Sequence, residues 1–287
     1  MAGAGEWAFG SSKVRRRGIA LSPGCNSQNS PRIRLLSWNI QQGGGRRVGA
    51  IHDAIVGFGP DVIILTEYRS NPSGALLTRL AAAGWEHAAT SNPPPRRNGV
   101  AVLSRQPLTV RSPPRSIPQE RWVEVELPAY GLALAAVYVP IRGGDVTRKD
   151  AYWRGLLEVA AAKRYTSFLF IGDWNTGAQI GDAEPDRRGF SCCEHFAAMS
   201  EHGFVEAWRL FHPGEREFSW YSRRGGTDLN GFRIDHAFVS AQLREQLLSC
   251  EYSQTERLAG VSDHAPLVLD LRKGSATQAI VHGAGRA

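Results

Sequence analysis

Cysteine is scarce: Cys25, Cys192, Cys193 and Cys250 are the only four in 287 residues, and no two stand in a CxxC pair. That excludes a disulfide framework and argues against a zinc site, leaving the reduced thiols of a cytoplasmic protein as the expectation. No apolar run approaches the roughly 20 residues of a membrane span. No apolar segment follows the triplet Arg15, Arg16 and Arg17, so neither a membrane partner nor a secretory signal is expected. No internal repeat and no second domain boundary is visible. Charge is also thin in the body of the chain. The net charge is +7, but the first thirty residues (Lys13, Arg15, Arg16, Arg17 against Glu6) and Arg286 carry about four of it. Global charge alone is therefore a weak argument for a polyanionic partner.

What is present suffices for one large core, at 42% hydrophobic and 9% aromatic residues. Residues 1–31 read as a disordered Arg/Gly/Ser-rich leader, residues 32–273 as the organised domain and residues 274–287 as a flexible tail. Ile33 to Asn39 is strand-like, Arg46 to Phe58 is compatible with helix, and Asp61 to Leu65 is a short apolar run ending just before Glu67. A helix is predicted from Ser73 to Ala83. Pro93, Pro94 and Pro95 exclude regular structure between Ser91 and Asn98. Strands are predicted at Val100 to Leu103, Leu108 to Arg111, Trp122 to Leu127 and Leu132 to Val139. A helix from Arg148 to Lys163 precedes a buried-strand pattern at Ser167 to Ile171, and Cys192 to Glu201 reads as helix. Phe218 to Tyr221 and Phe232 to Val239 read as a strand pair, and Ala265 to Leu271 as the last strand. Strands joined partly by helices and partly by hairpins predict an α/β sandwich of two mixed sheets flanked by helices.

The polar residues worth attention stand at the ends of these strands: Asn39, Glu67, Tyr138, Asp173 with Asn175, Asp235, and Asp263 with His264. Each has a bland reading. Glu67 fits a solvent-facing strand end, Asp173 to Asn175 an Asx turn, Asp235-His236 a buried satisfied pair, and Ser262 to Pro266 a polar strand entry. Their conjunction is more informative. Phosphoester hydrolysis at a metal needs carboxylate ligands for a hard cation, a base for water, and amide or imidazole donors around phosphorus. The chain supplies each type with little redundancy.

The series Ser37-Trp38-Asn39, Leu65-Thr66-Glu67, Gly99 to Ser104, Tyr138-Val139-Pro140, Gly172-Asp173-Trp174-Asn175, Phe218-Ser219-Trp220, Arg233-Ile234-Asp235 and Ser262-Asp263-His264-Ala265-Pro266 resembles the endonuclease/exonuclease/phosphatase superfamily. Within it, the series is most similar to the exodeoxyribonuclease III and apurinic/apyrimidinic endonuclease branch. The resemblance implies a four-layered α/β/β/α sandwich and hydrolysis dependent on Mg²⁺ or Mn²⁺. It implies that Glu67 holds the metal, with Asn39 and Asp263 nearby as supporting or alternative ligands. Asp173, helped by Asn175, would orient or deprotonate water. His264 would contact the phosphoryl oxygen with Asp235 behind its ring, and Tyr138 would donate to the phosphate or the leaving oxygen.

The branch usually carries Gln-Glu-Thr-Lys where this chain has Thr66-Glu67-Tyr68-Arg69, leaving Arg69 as the cation. It also continues Tyr138-Val139-Pro140 with an amide residue and a longer loop, where Ile141-Arg142-Gly143-Gly144 stands here. Trp220, Phe232 and Ile234 are candidates to wall a pocket for a base-less sugar, or else are core residues of their strands. Arg69 and Arg142 are candidates to neutralise phosphates. The leading expectation is a monomeric DNA-repair nuclease acting on double-stranded DNA. The alternatives are a phosphoesterase of the same superfamily acting on an inositol phosphate, a sphingolipid headgroup or RNA, and a non-catalytic nucleic-acid-binding protein.

Overall fold

The computed structural model describes residues 32–273 except 71, 142–145, 185–188 and 225. The expected leader and tail lie outside the described residues. In chain order the elements are β1 (Arg32–Asn39), α1 (Val48–Phe58), β2 (Val62–Tyr68), α2 (Pro72–Ala82), β3 (His87–Thr90), β4 (Gly99–Ser104), β5 (Thr109–Arg111), β6 (Trp122–Leu127) and β7 (Leu132–Tyr138). They continue as α3 (Val146–Lys163), β8 (Phe168–Asp173), α4 (Cys193–Ala198), β9 (Phe204–Glu206), β10 (Trp220–Arg224), β11 (Thr227–Phe232), β12 (Asp235–Ser240), β13 (Leu247–Tyr252) and β14 (Leu267–Arg272), with short helical turns between.

One six-stranded sheet has the order β13-β14-β1-β2-β4-β3 and the other β5-β6-β7-β8-β12-β9, while β10 and β11 form a separate ribbon. Both sheets are mixed. β1 runs parallel to β2, and β7 parallel to β8, while their other neighbours are antiparallel. Among the described residues no helix is long and apolar enough to cross a membrane.

Strand alternation sorts the core into layers, because successive side chains face opposite sides. Ile33 and Leu35 of β1, Val62 and Ile64 of β2, Leu134 and Ala136 of β7, Leu169 and Ile171 of β8, and Ala237 and Val239 of β12 form one cluster between the sheets. The intervening residues Leu36, Trp38, Ile63 and Leu65 pack outward with Ile51 and Ile55 of α1 and Leu76 and Leu80 of α2. On the far side Phe168, Phe170 and Trp174 pack with Tyr152, Trp153 and Leu156 of α3 and with Phe196 of α4. The four-layered sandwich expected from the sequence is thus the one observed. Each fully buried Leu, Ile or Phe in these layers contributes about 1.5–3 kcal/mol.

The predicted pairing of Phe218–Tyr221 with Phe232–Val239 needs correction. The ribbon pairs β10 with β11, and β12 pairs instead with β8 and β9. The break falls at Arg233, whose buried guanidinium turns onto Asp182 Oδ1 (2.7 Å from Nη2) and Glu206 Oε2 (2.9 Å from Nη1). The short strands β3, β9 and β13 were not anticipated.

Candidate active site

The stripes that line the inter-sheet core end in polar residues at one edge. Continuing each alternation in steps of two leads from Leu35 through Ser37 to Asn39, from Ala136 to Tyr138, from Ile171 to Asp173, and back from Ala237 to Asp235. Register brings the ends together: Tyr138 and Asp235 both pair with Asp173 on its two sides. Gly172 makes this approach possible. Its φ is 146°, and a Cβ there would lie 2.1 Å from the Val137 carbonyl oxygen.

Asn39 Nδ2 donates to Asp173 Oδ2 at 2.9 Å, and the Asn175 N–H donates to Asp173 Oδ1 at 2.9 Å. The latter is the Asx turn of the bland reading, here closed around a carboxylate that is only 1% exposed. Asn175 itself is left-handed (φ 45°). Its side chain donates to the Val139 carbonyl at 2.9 Å and its own carbonyl accepts from Lys149 Nζ at 2.6 Å. Burial, reinforced by the Asp235 charge, pushes the Asp173 carboxyl up to about 7, against the opposing pull of His264.

His264 Nδ1 lies 2.7 Å from Asp235 Oδ2. Burial alone would lower its basicity, but the Asp235 charge and hydrogen bond, with Asp173 and Asp263 nearby, raise it to about 10. The imidazolium is thus the resting form. Its loop is tied to β1: Trp38 Nε1 donates to the His264 carbonyl (2.8 Å), and the Ser262 hydroxyl donates to the Asn39 carbonyl (2.6 Å). Ser219 Oγ accepts from the N–H groups of Ile234 and Asp235 at 3.1 and 3.2 Å. Both serines stood inside motifs quoted from the sequence, but nothing there marked them as supports.

Glu67 is not at a strand end. It sits within β2 at a β-bulge between Thr66 and Tyr68, with φ 55°. Regular alternation would send it outward with Leu65; the extra residue re-aims it toward the inner mouth. There Tyr138 Oη donates to Oε1 at 3.3 Å and the Gln42 N–H donates to Oε2 at 2.7 Å. Burial first, then the charges of Glu67 and Asp173, hold the Tyr138 phenol protonated, well above its ordinary range. The loop that covers Glu67 is left-handed at five consecutive residues, from Gln41 to Gly45. Arg47 clamps it by donating to the carbonyls of Gln41 (2.8 Å) and Val261 (2.6 Å).

Asp263 Oδ2 accepts from Trp220 Nε1 at 3.2 Å, while its Oδ1 is buried without a partner. The Trp220 ring is 5.7 Å from Phe232 and 6.4 Å from His264. Trp220 and Phe232 are half-buried and Ile234 is buried. Arg69 Nε donates to Asn98 Oδ1 at 2.6 Å, and Arg142 lies outside the described residues. Asn98 had no sequence signal, because it ends a proline-rich loop. Among the described residues, Asp173, Asp235 and His264 bring ligand atoms within 4.8 Å of one another, a possible metal site. Both Asp173 oxygens, Asp235 Oδ2 and His264 Nδ1 are engaged with one another, with Asn39 or with Asn175. Both Glu67 oxygens accept from Tyr138 and Gln42, and Asp263 Oδ1 is buried without a partner.

The profile of the endonuclease/exonuclease/phosphatase family matches residues 36–264. The chain belongs to that family. Solved structures similar to it are those of the 3′ phosphatase NExo from Neisseria bound to a product DNA hairpin (22% identity, TM-score 0.71, 83% of this chain and 99% of that one). Another is an AP endonuclease from Archaeoglobus fulgidus (24% identity, TM-score 0.71, 83% and 98%). A third is the 3′-5′ exonuclease NExo from Neisseria meningitidis (22% identity, TM-score 0.69, 83% and 99%). At these identities the likeness is one of fold. No curated protein matches the chain in sequence. Membership of the family makes the chain a phosphoester hydrolase.

Proposed function

We propose that this family member is a divalent-metal-dependent phosphodiesterase of DNA repair, a cytoplasmic monomer that cleaves double-stranded DNA beside abasic sites or trims its 3′ ends. The observation that carries the proposal is the junction of Asn39 with Asp173 and of Asp235 with His264 across the two sheets, beside Glu67 and Tyr138. Asp173, poised near neutrality, takes the proton of the attacking water, and Asn39 and the Asn175 N–H fix its two oxygens. His264 has Nδ1 turned to Asp235, which leaves Nε2 of the imidazolium to donate to a phosphoryl oxygen. Tyr138, kept protonated, donates to the phosphate or the departing oxygen.

Glu67 and Asp263, with Asn39 beside them, would hold Mg²⁺ or Mn²⁺; the unpaired buried Asp263 Oδ1 and the half-buried Glu67 carboxylate are oxygen donors that suit a hard cation. When bound, such an ion neutralises charge developing on the phosphate. Trp220, Phe232 and Ile234 form the apolar wall against which a base-less sugar rests, and Arg69 and Arg142 are the cations for flanking phosphates. The DNA hairpin in the Neisseria phosphatase and the AP endonuclease from Archaeoglobus favour DNA over other esters. Incubation with Mg²⁺ and a duplex carrying one tetrahydrofuran abasic analogue is expected to give incision at the analogue. No incision, with robust phosphate release from a small ester such as an inositol phosphate, would overturn the DNA assignment.

A further inference from the structure

We propose that Lys149, in the first turn of α3, is a positioning residue that holds the left-handed backbone of Asn175 and so keeps the Asn175 N–H on the Asp173 carboxylate. The inference deepens the phosphoesterase reading above and rests on it. Anchors to β12 stand on either side of Asn175. Before it, the Trp174 N–H donates to the Ile234 carbonyl at 2.7 Å and Trp174 Nε1 to the His236 carbonyl at 3.0 Å. After it, the Thr176 carbonyl lies 3.1 Å from His236 Nε2. Two peptide planes remain between these anchors, and they share the Asn175 Cα. One carries the Asn175 N–H to Asp173 Oδ1 at 2.9 Å, and the other carries the Asn175 carbonyl away from the sheet to Lys149 Nζ at 2.6 Å. Facing both ways at once puts residue 175 at φ 45°, a region that costs a side-chain-bearing residue more than glycine.

The second plane is therefore the one that α3, not β12, must hold. A short bond from an ammonium to a carbonyl is charge-assisted and among the stronger ones available for the purpose. Without it the carbonyl is free to turn over, residue 175 relaxes out of the left-handed region, and the adjoining plane loosens its N–H from Asp173. Lys149 is 2% exposed, which withdraws its charge from any phosphate at the mouth of the site and confines it to acting through Asn175. Lysine is seldom buried so deeply, because the ammonium has to be given acceptors. The helix beneath it is a firm base. One turn further on, the same face carries Trp153, which is fully buried and packs on Trp174 with ring centroids 5.3 Å apart. The platform is thus fixed one residue away from the carbonyl that Lys149 holds.

The test is Lys149→Met, which nearly keeps the length of the side chain and removes the ammonium. On the abasic duplex in Mg²⁺, kcat is expected to fall about 10- to 100-fold, with KM changed less than about two-fold, the usual cost of losing a supporting partner of a reactive group. Glycine takes a left-handed φ freely. Asn175→Gly, itself impaired by loss of the side-chain bond to Val139, should therefore lose little more when Lys149→Met is added. Equal fold losses in the two backgrounds would overturn the assignment. Amide exchange gives a readout free of turnover: the Asn175 N–H should exchange about ten-fold faster or more in Lys149→Met, while Phe170 and Ile171 of β8 keep their protection. Lys149→Gln, slightly shorter and still a donor, should fall between and serves where methionine is not tolerated. Exchange at residue 175 that is unchanged, or raised equally through β8, overturns the positioning role even if no DNA is cleaved. A wild-type protein inactive on the duplex, with exchange behaving as expected, overturns the DNA reading and leaves Lys149 in its role.

Discussion

Replacing Asp173 by Asn separates what the carboxylate does for chemistry from what it costs the fold. In the folded protein the group is pushed from an ordinary 3.8 up to about 7 by burial and by Asp235, whereas in the unfolded chain it titrates normally. Stability contributed by a group raised in this way is fully present below about 4 and is lost as pH rises through about 7. A rise of that size corresponds to about 4 kcal/mol at full effect; with relaxation, about 2–4 kcal/mol is expected. Asparagine cannot ionise, so Asp173→Asn removes the pH-dependent loss. It adds a pH-independent one, because one amide nitrogen now faces Asn39 Nδ2 or the Asn175 N–H, at about 1–3 kcal/mol. The two separate in chemical denaturation of wild type and variant at pH 4.5, 6, 7 and 8 in EDTA. The variant should gain on wild type by about 2–4 kcal/mol from the lowest pH to the highest, or roughly 5–15 °C in Tm for a domain of this size. Over the same range its turnover should be about 10²–10⁴-fold below wild type, with DNA binding largely spared. A stability difference that stays flat with pH would refute the environment assigned to Asp173, and near-normal turnover would refute its role as base.

Four further outcomes follow from the same geometry. Asp235→Asn should destabilise by about 3–5 kcal/mol below pH 6.5, because it leaves a buried imidazolium unpaired. That cost should shrink as pH approaches the value of about 10 to which His264 is raised, as urea titrations across pH would show. Gly172→Ala, with its Cβ driven onto the Val137 carbonyl, should cost at least about 3 kcal/mol and lower Tm accordingly. Glu67→Ala should raise the Mg²⁺ concentration for half-maximal incision about ten-fold or more; unchanged metal dependence would contradict its role as ligand. Asp182→Ala should lose about 3 kcal/mol by taking one of the two carboxylates from Arg233, which is 1% exposed and keeps only Glu206, with little change in KM if that cluster only supports the strand beneath the site.

Most of the architecture was legible because each sheet is covered on both sides by apolar partners, so near-continuous apolar runs such as Leu35 to Trp38 and Phe168 to Ile171 stand out against their flanks. Strand alternation carries the residues that end these runs to one edge of the sandwich, which is why Asn39, Tyr138, Asp173 and Asp235, read as polar strand-end residues, stand together there. Glu67 was read as a strand-end residue, whereas it sits at a bulge inside β2. Its bulge depends on a left-handed glutamate opposite Gly99, and neither residue advertises that locally. The run Phe232 to Val239 looked like one strand because Arg233 reads as a polar alternation, whereas its buried ion pairs divide ribbon from sheet. Lys149 was invisible for a related reason: it reaches the Asn175 carbonyl by a long-range bond that no sequence spacing encodes.

The candidate set is divided between the two sheets. Asn39 and Glu67, with the segment of Asp263 and His264, lie on the sheet of β1. Tyr138, Asp173 and Asp235 lie on the sheet of β7. Every bond that joins them, Asn39 to Asp173, Tyr138 to Glu67 and His264 to Asp235, spans the seam, and Tyr252 of β13 adds another to the Asp235 carbonyl. The molecule therefore behaves like the two jaws of a vernier, whose reading depends on how one scale slides against the other. A shear of about half an ångström between the sheets is enough to spoil such an alignment while leaving each sheet's own ladder intact. Activity should accordingly fade in mild denaturant before circular dichroism registers any loss of strand or helix.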